Sequence, residues 1–178
     1  MAAGLAVPDA QLAASLFEQA CFDLLNGERL LKERNAKALS VAQFQQACEK
    51  AVKAFVLYRV GRRRYGDEIR PSHAAWSLDL CDGRLTTVRQ EIQSAFDGWD
   101  LDELEKLERL APQMGWTNPN PEYPWVGENS VFSPARYFET REMEIAAYAR
   151  VARRILRILA SKAASFDKAW KTVGELNQ

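Results

Sequence analysis

A chain of 178 residues, with 24 basic and 24 acidic side chains, 47% hydrophobic and 27% charged residues, has the size and balance of one ordinary globular domain. Zero formal net charge excludes a chain-wide attraction to nucleic acid or to an acidic membrane surface, so any basic site has to be local. Cys21, Cys48 and Cys81 are odd in number and far apart, and the one histidine is His73, which leaves neither a disulfide framework nor a zinc site to read.

Residues 1–8 are small and apolar but lack a basic region and the apolar stretch of a secretory leader, so the expectation is an N-terminal tail on a cytoplasmic protein with no membrane span. Asp9 is positioned to cap a first helix, in which Leu12, Leu16, Ala20 and Leu24 make one face; it is expected to run to about Arg34, with Asn26-Gly27 as its weak point. Ser40 is the expected cap of a second helix. There Phe44, Cys48, Ala51, Phe55 and Tyr58 follow a 4-3-4-3 rhythm, Gln46, Lys50 and Lys53 take another face, and Gly61 ends the run. The basic cluster Arg62, Arg63, Arg64 and the turn-prone Tyr65-Gly66-Asp67 then read as a connection to a third helix starting at Pro71-Ser72, with His73 in its first turn.

Beyond Asp82-Gly83, Leu85 to Phe96 has helical composition, and Asp100 is the expected cap of a short helix through Leu101, Leu104, Leu107 and Leu110, closed by Pro112. Gly115 to Pro134 holds four prolines with Trp116, Tyr123, Trp125 and Phe132, too many aromatics for a flexible linker, and reads as an ordered loop. Ile145, Tyr148, Ala152, Ile155 and Leu159 mark the apolar seam of a long last helix, with Arg150, Arg153, Arg154 and Arg157 largely off it. No strand alternation or repeat is evident. The predicted fold is all-α: an antiparallel up-and-down helical bundle over residues 9–165, with short extra helices, an aromatic and proline-rich loop before the last long helix, and a C-terminal extension over 166–178.

Phe44-Gln45-Gln46-Ala47-Cys48-Glu49-Lys50-Ala51-Val52-Lys53-Ala54 resembles the A-x-E-K-A-x-K-A pattern of the HEPN domains, the nucleotide-binding domains of higher eukaryotes and prokaryotes. His73 after a charged turn, Tyr123-Pro124, and Pro134 before a long amphipathic helix resemble that family's later features in their order. The resemblance spans about Asp9 to Ala164. It implies an up-and-down bundle that forms a homodimer and binds a nucleotide, RNA or a partner protein, such as a nucleotidyltransferase, in toxin-antitoxin or defence systems. Members that are metal-independent ribonucleases share an R-x(4-6)-H motif, which pairs a proton acceptor with a fixed cation. In this chain only two residues separate Arg70 from His73, and Glu122 stands before Tyr123-Pro124 where the family commonly has arginine. The expectation is a non-catalytic module, with a divergent ribonuclease using His73 and Arg70, and a structural scaffold, as the alternatives.

Three basic groups are candidates for nucleotide or RNA contact. Arg62, Arg63 and Arg64 offer guanidinium forks to phosphate, with Tyr65 to stack on a base, although such runs are more often solvated charge. Arg150, Arg154 and Arg157 recur at about one turn, and Glu142 and Glu144 just before them suggest a salt-bridged exposed face. Lys53, with Lys50, fits the solvated face of an amphipathic helix. Trp116 and Trp125 line a pocket or seal the bundle. There is no Walker loop, G-x-G-x-x-G, H-E-x-x-H or G-x-S-x-G, and no glutamate-x-x-histidine pair, so neither a cofactor nor a metal is expected.

Overall fold

The computed structural model describes residues 9–68, 87–110 and 119–175, and within them the chain is a helical bundle with one two-stranded hairpin. Helix α1 spans Asp9–Leu30, short of the expected Arg34, and buries Ala13, Phe17, Ala20, Cys21, Leu24 and Leu25; Ala20 and Leu24 of the expected face are buried, whereas Leu12 is exposed and Leu16 half-buried, because the core face is turned toward Ala13 and Phe17. Gly27 lies inside it and is no weak point. A Cβ built there would come within 2.6 Å of the Phe44 ring, so the missing side chain is what lets α1 approach its neighbour. The chain turns through Asn35, which takes φ 62°, and returns as α2, Lys37–Glu68.

Two expectations about α2 are corrected. Ser40 does not cap the helix, which has already begun at Lys37; its hydroxyl donates to the Gly27 carbonyl at 2.8 Å and ties the helices where they are closest. Gly61 does not end the helical run. It breaks the run with φ 75° and ψ 166°, and the chain resumes as helix to Glu68, so Arg62, Arg63, Arg64 and Tyr65 sit on a helical continuation rather than in a connecting turn. The third helix expected from Pro71, with His73, lies outside the described residues.

Helix α3, Val88–Ile92, opens on Thr87, whose hydroxyl accepts from Gln90 N while the Gln90 side chain accepts from Thr87 N, a reciprocal cap. A 3-10 turn over Gln93–Ala95 leads to α4, Gly98–Arg109. Its cap is Asp97, which accepts from Asp100 N at 2.8 Å, three residues ahead of the expected one. Asp100 is thereby released for another use.

The described part of the loop, residues 119–134, holds a pairing the sequence did not disclose: β1, Trp125–Val126, runs antiparallel to β2, Val131–Phe132. Buried Trp125 lies 5.5 Å from the Phe132 ring and 4.8 Å, edge-on, from Tyr137, an aromatic plug that seals this end. Trp116 lies outside the described residues. The last long helix is preceded by α5, Pro134–Glu139, and is α6, Glu142–Ala160. Ile145, Tyr148, Val151, Ala152, Ile155, Leu156 and Leu159 are buried along α6, which packs against α1, α2 and α4. Helix α7, Ala164–Glu175, then folds back on α1, where Phe166 stacks on Phe17 with ring centroids 4.4 Å apart. Among the described residues no helix is long and apolar enough to cross a membrane.

Candidate functional site

Burying the apolar seam of α6 turns Arg150, Arg153, Arg154 and Arg157 outward together, because steps of three and four return to one side of a helix. Their surroundings come from three other helices. Asp100, released from capping and only 2% exposed, faces α6 from the first turn of α4. Arg154 pairs with its Oδ2 and also donates to the Ala95 carbonyl, with the Phe96 ring 5.1 Å beneath the guanidinium. Arg150 reaches the other oxygen of Asp100 at a long 3.5 Å and lies 4.0 Å over the Trp99 ring. Arg153 makes a two-pronged contact with Glu28 of α1, its Nε donating at 2.7 Å and its Nη2 to the second oxygen.

The face is therefore salt-bridged, as the sequence suggested, but with different partners. Glu142 pairs with Lys37, and Glu144 accepts from Arg141 at 2.9 Å and from the Tyr148 hydroxyl at 2.6 Å. Three guanidinium groups, those of Arg150, Arg153 and Arg154, share two carboxylates, Asp100 and Glu28. Arg157 is exposed and has no ion-pair partner among the described residues. The four arginines and Trp170 of α7 line an open concavity of about 570 Å³. Arg153 and Trp170 also border a small adjoining recess of about 70 Å³, walled by Cys21, Leu24, Leu25 and Val173.

Lys53 is elsewhere, and its expected solvated setting is corrected. It is 5% exposed and donates to the equally buried Glu49 at 2.7 Å, on a row of α2 that also buries Gln45, whose amide donates to the Leu107 carbonyl at 3.2 Å. Lys50 is not free either: it pairs at 2.5 Å with buried Asp23, which also accepts from Gln19. Gln45 and Lys50 thus tie α2 to α4 and α1, while Lys53 and Glu49 pair within α2. Asn120 shapes the Tyr123-Pro124 loop, its side chain accepting from Glu122 N and Tyr123 N at 2.8 and 3.0 Å and leaving Tyr123 exposed. His73 and Arg70 lie outside the described residues, as do the side chains of Arg62, Arg63, Arg64 and Tyr65, so no geometry joins these to the α6 face.

Three further groups depart from their ordinary protonation. Burial, reinforced by Glu18, pushes the Cys21 thiol up to about 12, and burial raises Cys48 further. Burial and the bond to Glu144 hold the Tyr148 hydroxyl well above the phenol range. Neither described cysteine has the electropositive, exposed setting of a nucleophile. Among the described residues no group of three potential ligands is placed to hold a metal ion.

Sequence reasoning found the arginines and missed what surrounds them: Asp100, Glu28, Trp99 and Trp170. No family model, no curated protein and no solved structure matches the chain.

Proposed function

We propose that the protein is a HEPN-like, non-catalytic binding module, working as a cytoplasmic homodimer, whose ligand is RNA or another phosphate-bearing chain held on the arginine face of α6. One observation carries the ligand class. Four guanidinium groups converge on an open concavity against two carboxylates, an excess of local positive charge on a molecule with none overall. Guanidinium forks match phosphate oxygens, and Arg157 is the most available of the four. The family assignment, the dimer and a partner such as a nucleotidyltransferase rest on the HEPN-like stretch of α2 and the order of the later motifs.

The test combines solution mass with incubation of a labelled mixed-sequence RNA in EDTA, using wild type and His73→Ala. Retained, intact RNA on a protein of two-chain mass is the expected result. Cleavage that disappears in His73→Ala replaces this reading with the divergent ribonuclease, and absence of RNA binding even at low salt replaces it with the structural scaffold.

A further inference from the structure

Two tryptophans border the arginine face, each from a helix that packs on α6. Trp99, from the first turn of α4, is 50% exposed although the Arg150 guanidinium covers it at 4.0 Å; Trp170, from α7, is half-buried and forms a wall of the concavity that Arg150 also lines. Solvent-exposed indole is costly to leave in water, and Trp99 takes no part in the described core, whereas Trp170 packs against it and also lines the concavity. Along α6, Arg150 to Arg157 cover about 10 Å of helix at 1.5 Å per residue. Phosphates and nucleosides alternate along an unpaired strand, so neighbouring phosphates can meet guanidinium groups while bases turn to the indole rings.

We infer that the site binds single-stranded nucleic acid, with phosphates on Arg150, Arg153 and Arg157 and bases stacked on Trp99 and Trp170. This rests on the phosphate-binding reading of the α6 face and adds to it the strandedness of the ligand. A duplex has no unstacked base to offer either ring, a single nucleotide has one base for two rings, and an acidic peptide without aromatic residues has charge but no ring to stack. Arg154 stays committed to Asp100 and Ala95 and serves as a positioning residue for Asp100 and Arg150. Recognition rests on stacking, which every base offers, and among the described residues only arginines and Trp170 line the concavity.

The experiment uses the full chain and a labelled oligouridylate of about twelve nucleotides, the same strand annealed to oligoadenylate, heparin, and uridine monophosphate. Fluorescence anisotropy is recorded for wild type, Trp99→Ala, Trp170→Leu and Trp170→Phe, each checked for an unchanged helical signal. The expected result is that the strand binds more tightly than the duplex or the monophosphate. Trp99→Ala and Trp170→Leu each weaken it by roughly 10-fold, Trp170→Phe restores most of that loss, and heparin binding is unchanged throughout. Equal binding of strand and duplex, or tryptophan variants that bind the strand as wild type does, overturns the inference while leaving the phosphate-binding face intact. A monophosphate that binds as tightly as the strand overturns it in favour of a nucleotide site. Should no polyanion bind at low salt, the underlying reading falls with it.

Discussion

The ammonium of Lys53 lies 2.7 Å from the Glu49 carboxylate one helical turn away, and both residues are 5% exposed. Two charges removed from water are tolerable while they face each other, and losing one takes away the direct contact that offsets the burial of the other. Glu49→Gln or Lys53→Met is expected to destabilise the protein by about 3 kcal/mol, whereas an apolar double replacement, Glu49→Leu with Lys53→Met, recovers much of that loss. Urea unfolding of the two single variants and the double variant checks it: strictly additive losses would show that the pair is not coupled.

Gly27 sets the distance between α1 and α2. An alanine methyl would meet the buried Phe44 ring at 2.6 and 2.8 Å, and that ring has no free space into which to retreat. Alanine would add about 1 kcal/mol of helix propensity, and overpacking subtracts about 1–3 kcal/mol. The expected outcome for Gly27→Ala is a lower melting temperature despite better helix propensity. Gly27→Ala combined with Phe44→Leu should regain part of the loss, and a melting temperature above wild type for the single variant contradicts the packing.

Thiol chemistry follows from burial. Cys21 and Cys48 are buried and their thiols are held far from ionisation, so in a Cys81→Ser background neither should react with a disulfide reagent at pH 8 until the chain is unfolded. Prompt modification of the native protein would show that the faces of α1 and α2 carrying them open readily.

The contact between α2 and α6 has a pH signature. Glu142 is exposed, and its hydrogen bond from Lys37 holds its carboxyl below the ordinary value of 4.5. A depressed folded-state pKa means that this contribution is fully present above the unfolded value and is lost as pH falls through the folded one. The melting temperature of Glu142→Gln should therefore lie below wild type at pH 7 and converge with it in strong acid. A difference that persists unchanged below pH 3 would assign the effect to something other than the charge.

What the sequence disclosed followed physical periodicity. The seam of α6 repeats every three or four residues and is buried throughout, whereas in α1 the same rhythm placed the buried face one residue off, on Ala13 and Phe17 rather than Leu12 and Leu16. Capping was harder to read, because Asp97 and Asp100 are both acceptable caps and only the packing of α4 against α6 decides between them. Gly61 was legible as a breaker, but a left-handed residue can either stop a helix or bend it. Burial of Lys53 and Asp23 was hidden because each depends on a neighbour, Glu49 or Lys50, whose pairing only the folded state reveals. At the candidate site the arginine spacing was visible, whereas the carboxylates and Trp99 come from α1 and α4, dozens of residues before α6, and Trp170 reaches the face only because α7 folds back after it.

The measurement closest to the proposed function is the salt dependence of RNA binding for wild type and for the double variant Arg150→Gln, Arg157→Gln. Arg150 makes only a long contact with Asp100, and Arg157 has no ion-pair partner among the described residues, so their removal takes away phosphate contacts without breaking the Arg154–Asp100 tie. On single-stranded RNA each lost contact lowers the slope of log affinity against log salt by about 0.7. A shallower slope with weaker binding at low salt is the predicted result; a double variant with wild-type affinity and an unchanged slope would contradict a phosphate-binding α6 face.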